Sequence, residues 1–335
     1  MVSIADVAEH AGVSMTTVSH TLSGNRKVSD EVKARVLAAM AELDYVPSRS
    51  AQNLALGITR ILALVVPDIG NEYFAELAKG VERAAVDRGY NLILATTGSD
   101  RDRELHYLEM INSRAVDGIV YSAGAPPTEE ELGALLGGMP LVFVDDQVEG
   151  TAFPAIVSDN ETGGRLAAEH LAALGHRSAL IVNVAGQPVS SVLRSRGFLS
   201  VWDGVGGTSI QDFTGDYSEE SGREIVERYL DQFNSGRITA VFAHNDLMAL
   251  GVVNGLRAHG IRVPVDVSVV GFDDVSAARY AYPSLTTVRQ DVRALGTIAT
   301  TRMIDALESK QRMSGEQLML PVELIVREST AEVAR

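Results

Sequence analysis

The chain has 335 residues, 46% of them hydrophobic, a formal charge of −15 and no cysteine. That length points to two or three domains, and the lack of cysteine excludes disulfides, Cys-based zinc sites and a Cys nucleophile. No apolar run reaches the roughly 18–20 residues of a membrane span, and "MVSIADVAEH" has neither the basic start nor the apolar stretch of a secretion signal. A cytoplasmic protein with no membrane partner is therefore expected.

The charge is unevenly spread. Residues 1–60 hold six basic residues (Arg26, Lys27, Lys33, Arg35, Arg49, Arg60) and six acidic ones (Asp6, Glu9, Asp30, Glu31, Glu42, Asp44), so the whole excess of negative charge lies beyond them. This first segment is the only large one that a polyanion does not repel.

Within it, "SIADVAEHAGVSMTTVSHTLSG" divides into two short helices. Ser3 and Asp6 have capping-box spacing, and Ile4, Val7, Ala8 and Ala11 form one apolar face. Gly12 permits a tight turn, Val13 plugs the space between helices, and Ser14 caps the second helix, which buries Val18 and Leu22. A third helix starts at Ser29, has Asp30 and Glu31 at its positive end, buries Val32, Val36, Met40 and Leu43, and stops before Pro47. Three small helices with a glycine-hinged front pair describe a helix-turn-helix module, against the plainer reading of a helical cap. The second helix has no Lys or Arg, but Thr, His and apolar side chains read base edges, while the helix N-termini at Ser3 and Ser14 suit phosphates. The next stretch, "SRSAQNLALG", is too short to be a stable helix alone. It reads either as a linker packed on the next domain or as a hinge that folds on DNA and wedges Leu54 into the minor groove.

From residue 60 onward, apolar β-branched runs ("ILALVV", "NLILAT", "DGIVYS", "PLVFVD", "AIVSD", "SALIVNV", "TAVFAH", "VSVVGFD") alternate with amphipathic helical stretches. Such runs indicate parallel sheets covered on both faces. Two strand-like runs follow one another without a helix near residues 145–160, so two α/β lobes are preferred to one large sheet. Ligands in such sheets sit beyond the carboxyl ends of strands, where Asp68, Asn71, Asp145, Asn245 and Asp273 fall. Each alone reads equally as a turn former or helix cap, and capping is the reading taken for Asp246. In the pairs Asp145–Asp146 and Asp273–Asp274, strand alternation would send only one carboxylate to a given site.

"IADVAEHAGVSMTTVSHTLSG" and "VSDEVKARVLAAMAELDYVPSRSAQNLALG" closely resemble the LacI/GalR family of bacterial transcription regulators, and the resemblance continues over nearly the whole chain. It implies a helix-turn-helix head (1–47), a hinge helix (48–59) and a two-lobed, doubly wound core built like a periplasmic binding protein (60–335). Lobe 1 would take about 60–157 and 289–320, and lobe 2 about 158–288 and 321–335, the chain crossing three times between them. Positions matching Met15, Thr16 and His20 read bases in that family, and the one matching Leu54 is the minor-groove wedge. His20 departs from the usual Arg, so no operator sequence transfers from a relative. The full DNA-facing set is Ser3, Ser14, Met15, Thr16, Thr17, Ser19, His20, Asn25, Arg49, Gln52 and Leu54. For the effector, the resemblance implies Asp68, Asn71, Tyr73 and Phe74 in "PDIGNEYF", Asp145 in "FVDD", Ser190 and Arg194 in "SSVLRSRGF", and Tyr217 in "GDYSEE". Asn245 in "AHNDLMALG", Asp273 in "VVGFDD" and Gln290 in "TTVRQD" complete it.

This set offers paired acceptors, one guanidinium and stacking faces, which suit a polyhydroxylated ring better than a purine. The expected protein is a homodimeric repressor released from a pseudo-palindromic double-stranded operator by a sugar or sugar derivative. A purine corepressor or a protein co-signal is the alternative regulator, and a solute-binding receptor the alternative from another class. No G-x-S-x-G, H-E-x-x-H or Walker loop occurs, so no catalytic residue, metal or cofactor is expected. His170 and His176, six apart around a helix end, are set aside as metal ligands.

Overall fold

The computed structural model describes residues 2–23, 26–45, 58–112, 116–122, 124–146, 148, 150–311 and 313–333. Asn25, Arg49, Gln52, Leu54 and most of the expected hinge lie outside them.

The head consists of α1 (Ile4–Ala11), α2 (Met15–Ser23) and α3 (Asp30–Glu42). The Ser3–Asp6 capping box forms, with Ser3 N–H donating to Asp6 Oδ2 at 2.7 Å, and Gly12 ends α1 at φ 63°. Thr17 N–H donates to Ser14 Oγ at 3.1 Å, which caps α2, and Ser29 caps α3. Val7, Ala8, Ala11, Val18, Val36 and Ala39 form a small closed core, with Ile4, Val13, Leu22, Val32, Met40 and Leu43 packed around it. The expected stripes are all present; Ala39 is the one buried position they lacked.

The core runs β1 (Ile61–Val66), α4 (Glu72–Asp87), β2 (Asn91–Thr96), α5 (Arg101–Asn112), β3 (Gly118–Tyr121), α6 (Glu129–Leu136), β4 (Leu141–Val144) and β5 (Ala155–Ser158). It continues through α7 (Asn160–Ala173), β6 (Ser178–Val184), α8 (Val189–Trp202), β7 (Thr208–Gly215), α9 (Glu219–Arg228), α10 (Leu230–Asn234), β8 (Ala240–Ala243), α11 (Asp246–Ala258) and β9 (Ser268–Asp273). Last come α12 (Ser276–Tyr280), β10 (Thr286–Arg289), α13 (Val292–Ser309), β11 (Gln317–Leu320) and β12 (Glu323–Ile325). Two six-stranded sheets result, in the orders β11-β5-β4-β3-β1-β2 and β12-β10-β9-β8-β6-β7. All described pairings are parallel except β10 with β12.

The central strands of each sheet are buried on both faces. In the first, Leu62, Leu64, Val120 and Val142 pack against Leu77 and Val81 of α4 and Leu295 and Met303 of α13. In the second, Phe242, Val270 and Phe272 pack against Ala167, Phe198 and Trp202 of α7 and α8. α7 and α8 approach so closely that a Cβ on Gly164 would lie 1.9 Å from the Arg194 carbonyl oxygen, and one on Gly197 1.9 Å from that of Glu161. The chain passes between sheets at β5 to α7, β10 to α13 and β11 to β12, and all three passages lie beside the carboxyl ends of strands that face a cleft.

Candidate effector cleft

Asp145 follows the last residue of β4 at φ 73°, a left-handed conformation that turns its side chain out of the strand plane. Its Oδ1 accepts the Tyr73 hydroxyl at 2.5 Å and its Oδ2 the Ser122 hydroxyl at 3.4 Å. Burial pushes the Asp145 carboxyl up from its usual range, and burial, then the neighbouring Asp145 charge, pushes the Tyr73 hydroxyl up as well. Asp146 faces the same cleft, accepting the Ser190 hydroxyl of the opposite lobe at 2.9 Å. The alternation argument fails here because β4 has already ended, so both carboxylates reach the site.

Across the cleft, Asp273 ends β9 at φ 119° and accepts from Gln290 Nε2 at 2.7 Å. Burial pushes its carboxyl up to about 7, with Arg194 pulling the other way and Asp145 adding to the rise. The Asp274 carboxylate is instead held by Arg327, Arg289 and Arg279, so the two neighbours have different partners although both line the same cavity. Arg194 is only 3% exposed. Its Nε donates to Asn160 Oδ1 at 2.8 Å, its Nη1 to the His244 carbonyl, and its guanidinium carbon lies 3.8 Å above the Phe272 ring. A cation so fixed, with a negative pair within its field, is a preorganised hydrogen-bonding fork.

Tyr217, at φ 68°, is half-buried in the field of Arg194 and Asp146, and its carbonyl accepts from Asn245 Nδ2 at 3.0 Å. Asn245 Oδ1 meanwhile caps α11 by accepting from Met248 N–H at 3.0 Å. The cap is therefore Asn245, and Asp246, expected in that role, is buried among Thr287 and Val275 instead. Asp68 is exposed and closes a turn on Gly70 N–H, while Asn71 caps α4, so local turn chemistry accounts for these two. Phe74 packs edge-on against Tyr73 at 5.2 Å and onto the lobe 1 core.

A cavity of about 300 Å³ opens here, lined by Tyr73, Glu76, Asp273, Ser276, Arg279 and Gln290 among others. Two polar atoms beside the interlobe passages, Gln290 Oε1 and Ser158 Oγ, are buried without a hydrogen-bond partner among the described residues. Such atoms are costly unless something else completes them. A larger hollow of about 460 Å³ lies between α8 and β7, lined by Asn183, Ser195, Gln211 and Phe213 among others, and contains none of the expected residues. Sequence reasoning missed Asn160 and His244, which orient Arg194, together with Asp146 and the Glu72–Ser276 bridge at 2.7 Å. Only contacts between distant elements reveal them. His170 bonds Thr330, and His176 bonds Thr239 and Ser268.

In the head, Met15 and Thr16 are exposed on α2, with Ser19 and His20 half-exposed, so a continuous face free of the head core carries the expected base-reading residues. Ser3 and Ser14 stand at helix starts, and Thr17 is half-buried, bonded to Ser14.

Residues 3–48 match the family described as "Bacterial regulatory proteins, lacI family", and residues 168–330 match "Periplasmic binding protein-like domain". The HTH-type transcriptional repressor PurR of Yersinia enterocolitica is 35% identical, over 99% of this chain and 98% of its own. The chain belongs to the lacI family of bacterial regulatory proteins. It is a DNA-binding transcriptional regulator with a helix-turn-helix head and an effector-binding core. Among solved structures, the lac repressor dimer bound to operator and the anti-inducer ONPF superposes with a TM-score of 0.84 at 29% identity, covering 98% of this chain and 99% of that one. A lacI-family regulator from Enterococcus faecium with bound ribose gives 0.74 at 29% identity, covering 82% and 100%. No helix among the described residues is long and apolar enough to cross a membrane.

Proposed function

We propose that this regulator is a homodimeric repressor that leaves a pseudo-palindromic operator when an uncharged sugar binds in the cleft. The observation that carries this reading is that Asp145 of one lobe and Asp273 and Arg194 of the other lie within one another's field, beside the cavity that Asp273, Gln290 and Tyr73 line. Asp145, Asp146 and Asp273 around Arg194 favour a ligand that donates hydroxyl hydrogens over a phosphorylated one, since Arg279, Arg289 and Arg293 on the cavity wall are each already paired with a carboxylate. The ribose-bound relative supports a sugar. Similarity to PurR, with the Tyr73 and Tyr217 rings both in the field of Asp145, supports a planar corepressor as the second reading. The ligand is bound and released unchanged.

The head and the hinge at 48–59 contact DNA, with Met15, Thr16 and His20 reading bases and Leu54 wedging the minor groove. Lobe 1 takes about 60–157 and 289–320, lobe 2 the rest. The test is a thermal-shift panel of neutral sugars, sugar phosphates, polyols and purines at millimolar concentration, followed by operator gel shifts with each hit. A ligand at 100 times its Kd adds about 2.7 kcal/mol. A neutral sugar that raises the melt and releases operator supports the proposal; a purine hit that tightens operator binding replaces it.

A further inference from the structure

We propose that Asp246, which is wholly buried and no part of the cleft wall, is the positioning residue that holds Asp273 toward the effector. The inference rests on the cleft being the effector site. Asp273 and Asp274 are consecutive non-glycine residues at φ 119° and 61°, a strained turn that gives the two carboxylates different partners. Such a turn persists only where its surroundings over-determine it. Three restraints do so. Arg327, Arg289 and Arg279 hold the Asp274 carboxylate, and Gln290 holds that of Asp273. Asp246 holds the backbone: its Oδ2 accepts from Val275 N–H at 2.9 Å, while its Oδ1 accepts the Thr287 hydroxyl of β10 at 2.5 Å. One carboxylate thereby joins the start of α11, the exit of the turn and the next strand. Gly271 of β9 makes the room, since a Cβ there would lie 2.3 Å from Asp246 Oδ1.

Burial, then the charge of Asp273, pushes the Asp246 carboxyl up from its usual range. Asp273 also faces Arg194 from α8 and Asp145 and Tyr73 from lobe 1, with Asp274 and its three arginines beside it and the buried neutral His244 two residues before Asp246. Asp246 thus fixes, through the Val275 backbone and Thr287, where the Asp273 carboxylate lies.

Two variants test this role. Asp246→Asn keeps the size and one oxygen for Val275 N–H; Asp246→Ala removes the group that makes both bonds. Hydrogen–deuterium exchange on the protein without added ligand should show peptides over 274–280 exchanging at least tenfold faster in Asp246→Ala, with lobe 1 peptides unchanged. In Asp246→Asn those peptides should stay slow, because the amide oxygen still accepts from Val275 N–H. Unchanged exchange in the alanine variant overturns the proposal. If that variant opens everywhere, the asparagine variant decides, and fast exchange over 274–280 in it overturns the proposal. These readouts need no effector, so a failed ligand panel refutes the sugar reading and leaves this one standing.

Discussion

The proton on Asp273 makes effector binding pH-dependent in a direction that follows from the cleft. Its carboxyl titrates near 7 because burial outweighs the pull of Arg194, and a hydroxyl-donating ligand needs the ionised form. At pH 6 about a tenth of the molecules carry that form and at pH 8 about nine tenths, so the apparent Kd should fall about tenfold between them. Titration calorimetry at both pH values, in two buffers of different ionisation heat, should show close to one proton released per ligand at pH 6 and almost none at pH 8. Folding stability runs the opposite way. A carboxyl raised in the fold contributes stability that is complete below its unfolded value of 3.8 and is lost as pH rises through about 7. That span corresponds to on the order of 4 kcal/mol. Asp273→Asn lacks this loss, so the melting-temperature gap between variant and wild type should widen from pH 4 to pH 7. A Kd equal at pH 6 and 8, with no buffer-dependent heat, would refute the reasoning.

Arg194→Met leaves Asn160 Oδ1 and the His244 carbonyl without their donor and removes the cleft's guanidinium. Effector affinity by calorimetry should fall at least about 100-fold, about 2.7 kcal/mol, while operator gel shifts persist. Gly164→Ala forces a Cβ against the Arg194 backbone and should cost about 3 kcal/mol in urea unfolding, weakening effector binding with it because α8 carries Arg194. Leu54→Ala should weaken specific operator binding far more than binding to random duplex; equal losses would remove the wedge.

What could be read from the sequence was whatever depends on neighbours along the chain. Ser3 with Asp6, Ser29 before Val32 and the spacing of Val18 and Leu22 are local, and the head folds on them. Runs such as "ILALVV" and "TAVFAH" were legible as strands because both faces are buried. β7, "TSIQDFTG", was not, since an edge strand with mostly exposed residues carries no apolar run. Nor were β10, β11 and β12, three or four residues long and ordered by their partners. At the site, strand-end positions pointed to Asp145 and Asp273, but the rule that adjacent carboxylates diverge needs a strand running through both residues, and β4 stops at Val144. The cap fell to Asn245 instead of Asp246 because both residue types cap helices, and only Thr287 and Val275, about 30–40 residues away in sequence, draw Asp246 inward.

The same distant contacts explain how a small ligand can act on the whole core. The lobes are already joined directly, Glu72 to Ser276 and Asp146 to Ser190, at 2.7 and 2.9 Å. An effector that merely filled space would leave the balance of lobe angles unchanged, because a ligand shifts an equilibrium only by its difference in affinity between the states. One held by Asp145 on one side and by Asp273 and Arg194 on the other gains all its bonds at a single lobe spacing, and so selects it. A difference of about 1–3 kcal/mol suffices for roughly 5–150-fold in operator affinity, which one or two charge-assisted hydrogen bonds supply. The residues that make those bonds therefore set the switch as well as the affinity, and in this cleft they stand on opposite lobes.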